Sequence, residues 1–236
     1  GHPHRAGGGS WWIESYRNLL DHAKQTMPKG GCFTTECTSD PYMKEIQGYL
    51  SWIWIKNEQV PAFMVIYNGY VAVFGRNYLY APDWVGQNIL AAQSLTYGEQ
   101  MGWILPETYK ELVHKDFYKA CVHTRERLGD FFYDGKLLRS PQIWDKSVIK
   151  TTKIKHEAYG GLLEHTATFS ELWCRNDGKK LLLLINASRK ESYPVIKADI
   201  PDGTYITEGD MKAEVCVENG KLSLKLSPLS VSYIIL

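Results

Sequence analysis

The turn chemistry of this chain changes at about residue 141, and that change limits the architectures open to it. Downstream, Asn176-Asp177-Gly178, Pro201-Asp202-Gly203 and Asn219-Gly220 recur at hairpin-like intervals. Such steps favour the tight turns that join antiparallel strands. Between them, Lys221-Leu222-Ser223-Leu224-Lys225-Leu226 alternates polar and apolar as a half-buried strand does. Leu181 to Ile185 is continuously apolar and suits a central strand. Residues 141–236 therefore read as a small antiparallel β-sandwich, for which roughly 90 residues is a usual size.

Residues 1–140 alternate helix-like and strand-like patterns instead. Gly7-Gly8-Gly9 is a flexible loop, and Ser10 is a good cap for a helix from Trp11 to about Gln25. Its Trp12, Tyr16, Leu19, Leu20 and Ala23 fall at helical spacing, and Pro28-Lys29-Gly30-Gly31 ends it. Three strands are expected next: the run closing on Phe33-Thr34-Thr35-Glu36, then Tyr49–Ile55, then the almost wholly apolar Pro61–Tyr67. A helix over about Trp84 to Leu95 leads to a loop carrying Glu99. Pro106 then opens what reads as the longest helix, with Tyr109, Val113, Phe117, Cys121, Leu128 and Phe131 as its apolar stripe. Alternation of this kind implies a parallel sheet covered by helices. A complete eight-stranded barrel takes about 250 residues, so a 140-residue segment supplies about half of one. The expected fold is α/β plus all-β: half of a (β/α)8 (TIM-type) barrel over 1–140, then the sandwich over 141–236.

Charge removes several function classes. The 27 basic and 26 acidic residues give a net charge of +1, with no basic stripe, so neither nucleic acid nor an anionic membrane is an expected partner. The longest apolar runs are strand-sized, far below a membrane span. Five cysteines without CxxC spacing argue against a disulfide framework and a structural zinc site. Reduced thiols favour a cytoplasmic over a secreted setting; the compartment is otherwise open. Seven histidines show no metal-ligand spacing, and no GxGxxG follows a strand, so no metal or nucleotide cofactor is expected. Asn186-Ala187-Ser188 is a glycosylation sequon, relevant only in a eukaryotic secretory pathway.

The unusual feature is aromatic content: eight Trp and fifteen Tyr, concentrated before residue 145. Flat rings with polar handles suit sugars, whose C–H faces stack on aromatics while their hydroxyls seek hydrogen bonds. Trp12, Trp52, Tyr67 and Trp103 are the expected sugar platforms. Among carboxylates, Glu36 stands out. It ends a strand-like run and precedes Thr38-Ser39-Asp40-Pro41, a turn, which puts it at the C-terminal mouth of its strand. In a parallel barrel the active site is built at that mouth. Glu99 is a second carboxylate, a candidate contact to substrate hydroxyls with a structural ion pair as the equal alternative. Asp40 is a lesser one, better explained by its turn beside Pro41.

Several motifs occur in a fixed order: Gly1-His2-Pro3, Gly7-Gly8-Gly9-Ser10-Trp11-Trp12, Thr34-Thr35-Glu36, Pro61-Ala62-Phe63, Tyr67-Asn68-Gly69-Tyr70, Phe74-Gly75-Arg76 and Gly98-Glu99-Gln100-Met101-Gly102-Trp103. In this order they resemble the C-terminal portion of uncharacterised bacterial proteins with a glycoside-hydrolase-like (β/α) barrel, distantly similar to the endo-α-N-acetylgalactosaminidases. The resemblance covers about residues 1–135 by motif and the β portion by position. It implies hydrolysis of O-glycosidic bonds by a retaining, two-carboxylate mechanism. In that scheme an Asp is the nucleophile and a Glu on the next strand is the general acid, then base. Glu36 matches the Glu; the Asp would lie upstream of Gly1. A retaining site needs its two carboxyl groups about 5–5.5 Å apart, so the chain alone is expected to be inactive. Its expected partners are an oligosaccharide or glycan and the missing N-terminal barrel half, or a second copy closing a homodimer. The alternative reading is a non-catalytic carbohydrate-binding or assembly protein.

Overall fold

The computed structural model describes residues 10–36, 40–51, 61–76, 78–102, 104–155 and 162–236. Its first part holds helix α1 (Ser10–Thr26), strand β1 (Thr34–Thr35), strand β2 (Gly48–Ser51), helix α2 (Ala62–Tyr67) and strand β3 (Ala72–Gly75). Helix α3 (Trp84–Thr96), strand β4 (Gln100–Met101) and three short helices follow: α4 (Pro106–Glu111), α5 (Lys115–Arg127) and α6 (Gly129–Tyr133). The four strands pair in sequence order β1-β2-β3-β4, all parallel. Helix α3 packs on this sheet; it is buried nearly all round, and the Asp83 carboxylate caps it by accepting from the Gly86 N–H at 3.1 Å.

Two expectations for this part are overturned. Pro61–Tyr67 is not a strand: Ala62–Tyr67 is helix α2, and the third strand begins ten residues later at Ala72. A short apolar run fits either element. Here Phe63, Met64 and Tyr67 share the inward face, while Val65 and Ile66 point to solvent. The helix opened by Pro106 is not continuous either. Leu112 takes an extended conformation (φ −58°, ψ 128°), and the Val113 N–H leaves the helical ladder to donate to Gln87 Oε1 of α3 at 3.0 Å. Val113, counted on the apolar stripe, is exposed, and α1 is the longest described helix. The strand expected over Tyr49–Ile55 is described through Ser51; the remainder lies outside the described residues.

The second part is all β: β5 (Lys136–Leu137), β6 (Gln142–Trp144), β7 (Val148–Thr151), β8 (Leu163–Thr166), β9 (Thr168–Phe169), β10 (Leu172–Cys174) and β11 (Lys180–Asn186), then β12 (Val195–Lys197), β13 (Gly203–Ile206), β14 (Glu208–Gly209), β15 (Glu214–Glu218), β16 (Lys221–Ser223) and β17 (Ser230–Ile235). One antiparallel sheet runs β14-β17-β11-β10-β5, with β9 also on β11; a second runs β13-β15-β16-β12-β6; β7 and β8 form a separate ribbon. Asn219 (φ 53°) and Gly220 (φ 68°) make the two-residue turn between β15 and β16, the left-handed pair that matches the twist of a hairpin.

Strand β11 is wholly buried from Leu181 to Ile185, and its alternation divides it between two cores. Leu182 and Leu184 face the second sheet, where they meet Ile196, Val217 and Leu222. Leu181, Leu183 and Ile185 face the helices, in one cluster with Ile89, Leu90 and Phe117. Trp173 of β10 donates its indole N–H to the Thr96 carbonyl at 2.9 Å and meets Phe132 edge-on, and Asn88 Nδ2 donates to the Ala187 carbonyl at 2.8 Å. The strand sheet and the helical layer are thus joined by packing and by buried hydrogen bonds.

One buried acid marks this junction. Glu171, 6% exposed, accepts from Ser140 Oγ at 3.0 Å through Oε1, while Oε2 is buried with no hydrogen-bond partner among the described residues. Burial pushes its carboxyl up to about 8, overcoming the opposing pull of Ser140 and the Leu172 backbone N–H. An acid whose folded pKa is raised keeps its proton while the unfolded chain releases it. Glu171 therefore contributes fully below about pH 4.5, and that contribution is lost as pH rises towards 8. Glu171→Gln is expected to raise unfolding stability at pH 8 by about 3–5 kcal/mol, at ~1.4 kcal/mol per unit, with almost no change at pH 4. Urea titrations of both proteins across that range check it; a parallel offset at all pH values would refute it.

Candidate functional site

Glu36 directly follows β1, at the C-terminal end of the parallel sheet, and is exposed. The pleat decides what lies beside it. Residues of a strand alternate between faces, and the register pairs Leu50 with Phe74 and Tyr49 with Val73. Tyr49 and Val73 are buried in the clusters formed with the helices. Leu50 and Phe74 face the other way and, with Thr34, Thr35 and Glu36, line a cavity of about 350 Å³. Glu36 thus borders a concavity with an apolar floor on the face of three parallel strands turned away from the helices. Sequence reasoning did not single out Leu50 or Phe74; the period-two alternation through Tyr49-Leu50-Ser51 and Val73-Phe74-Gly75 carries the signal.

Glu99 has a different environment. It is 1% exposed, and Arg76 binds both of its oxygens: Nε to Oε2 at 2.6 Å and Nη2 to Oε1 at 2.9 Å. Arg76 Nη1 also donates to Gln93 Oε1 of α3 at 2.8 Å. Alternation alone would send Arg76 to the same face as Phe74. Gly75 (φ 103°) and Arg76 (φ 89°) are both left-handed, and this turn carries the guanidinium to the helix layer. A Cβ on Gly75 would come within 2.1 Å of Leu50 Cδ1 and push that side chain aside, and the left-handed backbone there favours glycine. Burial works against the charged guanidinium, but the charge and hydrogen bonds of Glu99 outweigh it, and Arg76 holds its proton more tightly than usual. Glu99 lies in the loop between α3 and β4, as expected, but is buried there, and of its two expected roles the structure contains the ion pair.

The remaining candidates disperse. Trp12 lies on α1, 59% exposed and edge-on to Trp11. Tyr67, the last residue of α2, donates its hydroxyl to Asp40 Oδ2 at 2.8 Å and packs on Phe63, in the cluster that holds Leu20 of α1. That hydrogen bond raises its phenol above the usual range. Asp40 opens a short 3-10 turn, Asp40–Tyr42. Neither Trp12 nor Tyr67 lines the Glu36 cavity. Trp52, Trp103 and the loop Gly7-Gly8-Gly9 lie outside the described residues. A concavity of about 320 Å³ sits at the opposite, N-terminal end of the strands, near Asn68, Tyr70 and Arg125. The Arg125 guanidinium there is shared among the Gly98 and Glu99 carbonyls and the Tyr133 hydroxyl. Among the described residues no group of three His, Cys, Asp or Glu is placed to hold a metal ion.

Residues 1–78 match the model of a family described as a domain of unknown function, DUF6259. A Bacteroides thetaiotaomicron protein named "Putative glycoside hydrolase" is 25% identical over 216 residues, 87% of this chain and 30% of its own length. A similarly named Monosiga brevicollis protein is 32% identical over 111 residues, 43% of this chain and 9% of its own length. The chain spans less than a third of either relative. Among solved structures, a maltogenic α-amylase from Thermotoga neapolitana matches with a TM-score of 0.56 at 12% identity, over 98% of this chain and 60% of its own. An Anoxybacillus α-amylase matches with a TM-score of 0.52 at 12% identity, over 97% of this chain and 56% of its own. At that identity the likeness speaks for the fold alone; the chain is a mixed α/β protein related to proteins named as glycoside hydrolases.

Proposed function

We propose that this chain is the C-terminal half of a (β/α)8 barrel, residues 1–140, with an appended β-sandwich, residues 141–236, of a retaining glycoside hydrolase. Glu36 is the general acid and then base, and an Asp supplied by an upstream strand is the nucleophile. The observation that carries this reading is the position of Glu36: a carboxylate at the C-terminal end of a parallel strand, opening with Leu50 and Phe74 onto one cavity. An apolar floor suits a sugar ring, and an acid beside it can protonate the departing glycosidic oxygen. The edges of β1 and β4, unshared among the described residues, suit further parallel strands, or a second copy of this chain. The resemblance to endo-α-N-acetylgalactosaminidases makes α-linked glycans the class to assay first.

The test is hydrolysis of aryl α-glycosides by the chain alone and by the polypeptide extended upstream to the length of its relatives. The chain alone is expected to be inert. The extended protein is expected to release sugar whose first-formed anomer, followed by proton NMR, keeps the configuration of the substrate. Inversion would remove the nucleophile from the scheme; turnover by the chain alone would remove the need for an upstream Asp.

A further inference from the structure

The floor of the Glu36 cavity rests on a residue that does not line it. The register puts Thr34, Gly48 and Ala72 in one row across β1, β2 and β3. Leu50 and Phe74 stand in the next row towards the C-terminal end, about 6.6 Å further along the strands. Phe74 leans back across that gap. A Cβ on Gly48 would stand 3.2 Å from Phe74 Cε1 and 2.9 Å from Thr34 Cγ2, so both side chains close over the bare glycine. Gly48 is not among the left-handed glycines, so its backbone does not require glycine; the space above it does.

A phenyl ring that leans over a neighbouring strand turns a face, instead of its edge, to the space above the sheet. Thr34, Thr35 and Glu36 form the wall beside it. A flat apolar face next to hydroxyl and carboxylate groups matches a pyranose, whose C–H face stacks on an aromatic while its hydroxyls are bonded from the side. Glu36 is the one charged residue that lines the cavity among those described, and it repels a ring that carries its own negative charge. We infer that the recess takes a neutral pyranose laid face-on over Phe74, and that Gly48 is the positioning residue that sets its depth. A side chain at position 48 lifts the Phe74 ring into the space that the sugar fills. The inference rests on the reading of the Glu36 cavity as a sugar site, not on the proton transfers assigned to Glu36.

Methyl-resolved NMR of the whole chain tests it, with the Leu50 and Thr34 methyl signals as reporters. Methyl α-glucoside, α-galactoside and α-mannoside are titrated to about 100 mM, enough to saturate a millimolar site, and methyl α-glucuronide serves as the charged control. At least one neutral glycoside should shift both reporters saturably, and the glucuronide should not. Gly48→Val, a residue suited to a strand, should weaken binding about tenfold or more, as loss of an aromatic anchor does. Gly48→Ala, the milder change, should weaken it less. Phe74→Leu should weaken it about as much as Gly48→Val, and adding Gly48→Val to Phe74→Leu should cost little more, because no ring is left to lift. The inference is overturned by still reporters with every neutral glycoside, by an equal response to the glucuronide, by unchanged binding in Gly48→Val, or by additive losses in the double variant. Hydrolysis is not read here. Sugar binding without catalysis by the extended protein would remove the catalytic reading alone, and catalysis without binding at these reporters would remove this inference alone.

Discussion

Glu36→Gln, placed in the upstream-extended polypeptide, is expected to lower hydrolysis of a glycoside with a poor leaving group by on the order of 10²–10⁴-fold. Glutamine keeps the size of the side chain and much of its hydrogen bonding, yet has no proton to give. Exposure of Glu36 at the strand end means that the change leaves no buried group unpaired, so folding should be unaffected. The dependence on leaving group gives the result its meaning. A dinitrophenolate leaves without help, so formation of the glycosyl-enzyme should be almost as fast in the variant, and the loss should shift to the later, base-assisted step. An alkyl glycoside, whose alkoxide cannot leave unprotonated, should suffer the whole loss. Equal losses for both substrates would make Glu36 a positioning group, and no loss for either would remove it from the chemistry.

Glu99→Ala should cost the isolated chain about 3–5 kcal/mol in unfolding stability, because it leaves a fully buried guanidinium without its counter-charge. Gln93 remains as an acceptor at Nη1, but it is neutral and does not replace the lost charge. The double variant Glu99→Leu with Arg76→Met should recover most of that loss, since two matched apolar side chains need no pairing. It also leaves a non-glycine residue in the left-handed region at position 76, a conformation of order 1–3 kcal/mol above the common ones. Denaturant titration of the three proteins reads both effects. A Glu99→Ala loss below about 1 kcal/mol would mean that water reaches the pair and that its burial is not maintained in solution.

Much of this fold is legible in the chain, and the losses have identifiable causes. The spans of α1 and α3 hold to within a residue, although Ser10 lies inside α1 rather than before it and Trp12 and Leu19 of the expected stripe are exposed, and the Asn219-Gly220 turn is local chemistry that needs no context. Pro61–Tyr67 fails because seven apolar residues carry no period of their own. The choice between strand and helix was made by what Met64 and Phe63 could pack against. The break at Leu112 goes with the bond from the Val113 N–H to Gln87, twenty-six residues from Val113, which no local reading could supply. Glu36 was readable as a strand-end carboxylate because the turn after it is written in sequence. Its neighbours Leu50 and Phe74 come from other strands, and only the register unites them. Glu99 was ambiguous for a related reason: its partner depends on the left-handed turn at Gly75-Arg76, a conformation that composition alone does not announce.

Strand β11 has a consequence for how such a protein can change over generations. Domains that are exchanged freely between genes carry a complete core and meet their neighbours through modest, polar surfaces. Here a single strand is a wall of two cores at once, through Leu182 and Leu184 on one side and Leu181, Leu183 and Ile185 on the other. Transplanting the β portion without the helices would bare a stripe of leucine and isoleucine, with Val231 and Tyr233 of β17 beside it. The two portions are therefore bound to be inherited together, and a substitution on either side of β11 constrains which substitutions the other side can later accept.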